Sequence, residues 1–258
     1  MRRHNREIMA RTAMVMALVL FLSGAAAIAD SFSGTIASFS DDARLSGTSL
    51  ETTAVDATVG RTVEASGDIL VRFVSIPIPR YAAIDSAFVS LLPSSSQGGA
   101  VCNAVIYAED TGNASTFSTY SDFAARSLTD EVVYWDNLPT MVIFNWYHTP
   151  DLSLVIQEVI DRSDWSAGNA LSLLIRDHNS SVEAFRKLWQ YDYIPAYACS
   201  LIVYYTPQPE AGSVPGRRRR ILVGKADHNR IDNLARESLA FRHQDCLDLL
   251  TFTRLRGR

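Results

Sequence analysis

Histidine and cysteine are scarce in this chain, with five and three among 258 residues. No C-x-x-C pair, Cys/His cluster or H-E-x-x-H helix occurs, which excludes the common structural and hydrolytic zinc sites. A G-x-S-x-G elbow and a glycine-rich phosphate loop are missing as well, so neither an α/β-hydrolase nor a nucleotide enzyme is signalled. Beyond the N-terminal run no apolar stretch is long enough to span a bilayer. Internal repeats and heptads are also absent. No catalytic residue is assigned, because no nucleophile or base has a visible activating partner. Carboxylates are plentiful, so a glycosidase pair stays open as a lesser reading.

What is present begins with an address. Arg2, Arg3, Arg6 and Arg11 precede an uncharged apolar run over residues 13–22, and Ala27-Ile28-Ala29 follows before Asp30. This pattern predicts a secretory signal peptide over residues 1–29, and hence a secreted or cell-surface protein. Charge then divides the rest. Residues 30–206 hold nine basic and 21 acidic side chains, a net of −12, whereas residues 207–258 hold 11 and six, a net of +5. An acidic body repels phosphates, which argues against nucleic acid as a partner. Pro207, Pro209, Gly212, Pro215 and Gly216 mark a linker that runs into the basic Arg217-Arg218-Arg219-Arg220, giving a connecting segment over residues 207–220. Residues 221–258 form a tail predicted to be helical from about residue 227 to 250.

Short apolar or alternating segments separated by Gly, Pro and Ser predict strands over residues 68–78, 84–92, 100–108, 132–135, 141–146, 170–175 and 199–205. The last is almost wholly β-branched or aromatic and is expected at the centre of a sheet. One helix interrupts them. Thr149 is placed as its cap, Pro150 at its first position and Asp151 at the positive end of its dipole. Leu152, Val155, Ile156, Val159 and Ile160 form one apolar face. The predicted fold is all-β, an antiparallel β-sandwich of jelly-roll type with one inserted helix and a separate C-terminal tail.

Several short motifs run in order through residues 30–206. They are Ser40-Asp41-Asp42-Ala43, Leu70-Val71-Arg72-Phe73 with Ile76-Pro77, Ala83-Ile84-Asp85-Ser86-Ala87, Val133-Tyr134-Trp135, Thr149-Pro150-Asp151-Leu152 leading into the helix, Trp165-Ser166-Ala167-Gly168-Asn169, and Leu201-Ile202-Val203-Tyr204-Tyr205. Their order resembles secreted DNRLRE-type β-jelly-roll domains, which are similar to the disaggregatase-related carbohydrate-binding module family. The resemblance implies a jelly roll and a link to carbohydrate. Phe185-Arg186-Lys187-Leu188 departs from it, standing where relatives carry a smaller strand.

The second half concentrates aromatic residues. Trp146, Tyr147, Trp189, Tyr191 and Tyr193 lie beside polar or turn residues and are the candidate ligand-binding set, since sugar rings pack their C–H faces on aromatic rings. Trp135 and Trp165 are expected in the core. Asp41 and Asp42 are the candidate metal ligands, with Ca²⁺ the cation their oxygen chemistry suits, or else turn acceptors. Cys102 and Cys199 could pair if their strands are neighbours, or stay as buried thiols. Asn113 and Asn179 head N-glycosylation sequons. The expected function is non-catalytic binding of polysaccharide or glycan, or adhesion, at a cell surface or matrix. Two alternatives accompany it: a structural subunit of an extracellular fibre or layer that binds copies of itself, and a polysaccharide-degrading enzyme.

Overall fold

A computed structural model of the protein describes residues 29–97 and 101–208. The segments expected to be a signal peptide, a linker beyond residue 208, a basic run and a helical tail lie outside the described residues. Twelve strands form two antiparallel sheets: β1 Asp30–Thr35, β2 Asp42–Ser46, β3 Ser49–Glu51, β4 Asp56–Arg61, β5 Ser66–Phe73, β6 Ala83–Leu91, β7 Ala104–Ala108, β8 Val133–Trp135, β9 Tyr147–His148, β10 Leu171–Asp177, β11 Ala184–Trp189 and β12 Ser200–Thr206. The smaller sheet has the order β1-β12-β6-β9. The larger runs β11-β4-β5-β10-β7-β8, with β2 joined to β5 and β3 to β2. Helix α1 spans Tyr120–Ala124 and helix α2 spans Ser153–Ile160. The chain is therefore an all-β sandwich with an inserted helix, and β12 is central in its sheet as expected.

Alternation along the strands builds the core. Ile69, Val71 and Phe73 of β5 face the sandwich interior with Leu171, Leu173 and Ile175 of β10, and Val89, Leu201 and Val203 oppose them from the smaller sheet. Leu70 and Leu174 point the other way. With Ala43 and Leu45 they form a second apolar cluster, which Phe117 and Phe123 cover from the segment carrying α1. Arg126 holds that cover in place by donating to Glu109, Asp122 and the Ser115 and Thr116 carbonyls. The short helix α1 was not anticipated. Its Thr119 cap accepts from Asp122 N at 3.1 Å, and tertiary burial of Phe123 sustains five residues that are too few to be helical alone.

Helix α2 buries Leu152, Val155, Ile156, Val159 and Ile160, the face read from the spacing. Its start differs from the expectation. Thr149 does not cap it: the hydroxyl accepts from Val89 N, and the backbone NH of Thr149 donates to Val89 O, so Thr149 extends the pairing on β6. Asp151 does sit at the helix entry, where Oδ1 accepts from Ser153 N at 3.0 Å and also from Ala87 N. Trp135 and Trp165 are buried, and the Trp165 indole donates to Ile78 O at 2.9 Å.

Two strand expectations fail locally. The predicted strand over 141–146 is a single bridge at Met141 followed by a turn closed by Asn145 N donating to Val142 O, with Phe144 at φ +64°. The strand expected over 68–78 ends at Phe73, and Ser75 has φ +55°. The departure at 185–188 is strand β11, which turns Arg186 inward. Its guanidinium is buried and donates to the carbonyls of Leu138, Pro139 and Phe185, fastening the loop after β8.

The β4–β5 hairpin depends on two facing glycines. Gly60 pairs with Gly67, and a Cβ on Gly60 would strike the Ala184 carbonyl and Cys102 Sγ at a φ of +105°. Gly60→Ala is expected to destabilise the fold by at least about 1–3 kcal/mol, whereas Gly47→Ala, strained but facing open space, loses less. Chemical denaturation of both variants checks the order.

Candidate functional site

The chain leaves β11 at Trp189 and crosses to the other sheet at Ser200, and this crossing builds an aromatic surface among the described residues. Trp189 and Tyr193 stack with ring centroids 3.8 Å apart and planes 10° apart. Tyr197, on a single 3-10 turn over Pro195–Tyr197, lies 6.1 Å from Tyr193. Phe144 meets Tyr197 edge-on at 5.8 Å. Phe144 is 53% exposed and Tyr193 44%, so the run of four rings opens to solvent at both Phe144 and Tyr193. Val142 and Ile194 are exposed beside them.

Local structure explains the placement. Tyr193 N donates to Gln190 O and Tyr197 N to Ile194 O, so two successive turns put both tyrosines on one side. The turn bearing Phe144 is held by the segment 92–97. Gln97 pairs with Met141 through both backbone groups, Phe144 N donates to Pro93 O, and Ile143 N donates to Ser96 Oγ. The same segment grips β11: Trp189 N donates to Leu92 O, Ser94 N to Lys187 O, and the Gln97 side chain accepts from Lys187 N at 2.7 Å. One strap thus sets the distance between the two aromatic segments.

Of the five candidate ligand-binding residues, Trp189 and Tyr193 come together here. Tyr191 is turned against the core, and its backbone NH is held by Asp42 at 2.8 Å. Tyr147 also packs on the core, and its hydroxyl accepts from Val142 N, bracing the Phe144 turn. Trp146 is half-buried between that turn and β9. Phe144 and Tyr197 were missed. The spacing of four between Tyr193 and Tyr197 was a usable signal, but Phe144 lay hidden inside an apolar run that reads as a strand.

The acidic pair behaves as two separate groups. Asp41 is engaged by Arg72, whose backbone NH also donates to Asp41 O. Asp42 is almost fully buried, accepts from Tyr191 N, and leaves Oδ1 without a hydrogen bond. Among the described residues no three His, Cys, Asp or Glu side chains converge as a metal site. Burial, and secondarily the nearby Asp192 and Asp41 charges, push the Asp42 carboxyl from 3.8 up to about 7.

Cys102 and Cys199 are both buried free thiols. Cys102 leads into β7 of the larger sheet and Cys199 into β12 of the smaller, so the two do not lie on neighbouring strands. Asn113 and Asn179 are exposed; Asn113 Oδ1 accepts from Ala170 N, and Asn179 sits in a turn at φ +57°. The architecture defines an antiparallel β-sandwich with an aromatic surface at a sheet crossing. Neither a family model nor a curated protein matches the chain.

Asp42 carries a stability signature. Between 3.8 and about 7 the folded chain keeps a proton that the unfolded chain has released, so stability falls as pH rises through that window. The limiting slope is about 1.4 kcal/mol per pH unit. Asp42→Asn retains an acceptor for Tyr191 N and is expected to flatten this decline in urea titrations.

Proposed function

We propose that this protein is a secreted, non-catalytic module that binds an uncharged polysaccharide at a cell surface or matrix, in the manner of DNRLRE-type jelly-roll domains. The observation that carries the reading is the run Trp189, Tyr193, Tyr197 and Phe144, whose rings touch in sequence, Trp189 stacked on Tyr193, and which is exposed at Tyr193 and Phe144. Rings held by one another lose little freedom when a sugar face packs on them. Asn145 and Asp192, both exposed, flank Phe144 and Tyr193 and supply partners for hydroxyls. The net charge of −12 over residues 30–206 favours a neutral polymer over an acidic one.

Exposed Val142, Phe144, Tyr193 and Ile194 also favour a second reading, in which copies of the protein associate through this surface as a structural subunit. Retention on neutral insoluble polysaccharides, measured beside light scattering of the same sample, separates the two. Tyr193→Ala and Phe144→Ala are each expected to weaken retention about tenfold, equivalent to about 1.4 kcal/mol, with an unchanged melting temperature. Assembly that both variants abolish, with no retention, would favour the structural subunit. Unchanged retention in both variants would remove the aromatic surface from either role.

A further inference from the structure

The aromatic surface is seated on a buried acid. Asp42 and Ala43 point to opposite sides of β2, Ala43 into the outer cluster and Asp42 toward the crossing segment. There Oδ2 accepts from Tyr191 N at 2.8 Å, between Trp189 and Tyr193. Oδ1 is buried without a partner. Gln190, only 2% exposed, leaves both atoms of its amide unpaired, so the next side chain along the turn gives Asp42 no donor.

We propose that Asp42 makes this surface pH-sensitive: as a neutral acid it keeps the 190–193 turn and the Trp189–Tyr193 stack seated, and its ionisation unseats them. The consequence, tighter polysaccharide binding in acid than in alkali, rests on the proposed function. An ionised Asp42 holds a buried charge that the Tyr191 NH and its own backbone NH solvate only in part, and Oδ1 has no hydrogen bond. The charged groups around it offer no relief. Asp192, on the same turn, and Asp41, just before β2, both oppose a negative charge. Arg72 of β5 is engaged by Asp41. Cys199, at the entry to β12, stays neutral because burial, and next the Asp42 charge, push its thiol up to about 12. Relief therefore requires water at Oδ1, which enters when the turn lifts. The turn has Trp189 and Tyr193 at its ends, so the stack opens with it. Because burial pushes Asp42 up to about 7, the transition falls near neutrality.

Hydrogen–deuterium exchange of the full chain tests this directly, read on peptides covering residues 189–193 and corrected for the intrinsic pH dependence of exchange. Protection is expected to hold in acid and to fall at least about tenfold between roughly pH 5.5 and 8.5. Asp42→Asn is expected to keep protection constant over that range. Asp192→Asn, an exposed change that leaves the fold intact, removes a repelling charge and is expected to move the transition toward acid. Constant protection in the unmodified chain, the same fall in Asp42→Asn, or an unmoved transition in Asp192→Asn overturns the proposal. Retention on neutral polysaccharide is followed on the same samples. A fall in protection with no retention at any pH leaves the Asp42 seat standing and sinks the polysaccharide reading. Retention that stays constant while protection falls overturns the coupling between seat and surface.

Discussion

Strands β5 and β10 carry apolar side chains on both faces, and neither face tolerates water. Ile69, Val71 and Phe73 with Leu171, Leu173 and Ile175 require the smaller sheet on one side. Leu70 and Leu174 require a cover on the other. An antiparallel pair with one dry face is ordinary; a pair dry on both faces commits the chain to a third layer. That layer is the segment bearing Phe117 and Phe123, pinned by Arg126. Closing both faces around these two strands leaves the edge of the larger sheet, at β11, as the place where chain is available for a surface.

The position of the aromatic run follows from topology. β11 ends at the edge of the larger sheet while β12 lies at the centre of the smaller, so residues 190–199 must pass from one sheet to the other. A crossing segment cannot hydrogen-bond as a ladder, and its backbone groups are satisfied by turns and by Asp42. Turns expose what they carry. Tyr193 is exposed and Tyr197 half-buried for this reason, and the strap over residues 92–97 brings Phe144 up to them by gripping β11 and the 141–145 turn together.

Elements whose burial follows a simple period were legible in the sequence. The apolar face of α2 at positions 152, 155, 156, 159 and 160 and the central placement of β12 needed only alternation or helical spacing. Features set by long-range contacts were not. Thr149 suits a helix cap by its residue type, yet Val89 claims its hydroxyl and backbone NH. The stretch 141–146 has strand composition, but pairing with Gln97 spends Met141 alone and the chain then turns. Half of the ring surface was therefore visible: Trp189 and Tyr193 stood in a polar-aromatic context, whereas Phe144 depended on that turn. Asp41 and Asp42 read alike in sequence and part company only because Arg72 reaches one of them.

Two local costs fall in the segments that carry these rings. Phe144 occupies a φ of +64°, a conformation a bulky residue rarely adopts. Asp42 buries an acid where an amide would serve the Tyr191 NH without a charge. Elsewhere in the described sandwich, buried cations and acids have found partners: Arg186 its three carbonyls, Glu109 its arginine, Asp68 both Arg176 and the Asp177 NH. Asp42 Oδ1 and both atoms of the Gln190 amide stay unpaired beside the 190–193 turn, as do the Trp189 indole NH and the hydroxyls of Ser94, Ser95, Ser172 and Ser200. Local inconsistency in a well-packed fold is expected where a surface has work to do besides folding. Strain at Phe144 and unpaired polar atoms at Asp42, Trp189 and Gln190 are independent physical effects, and both occur in segments that hold the four rings.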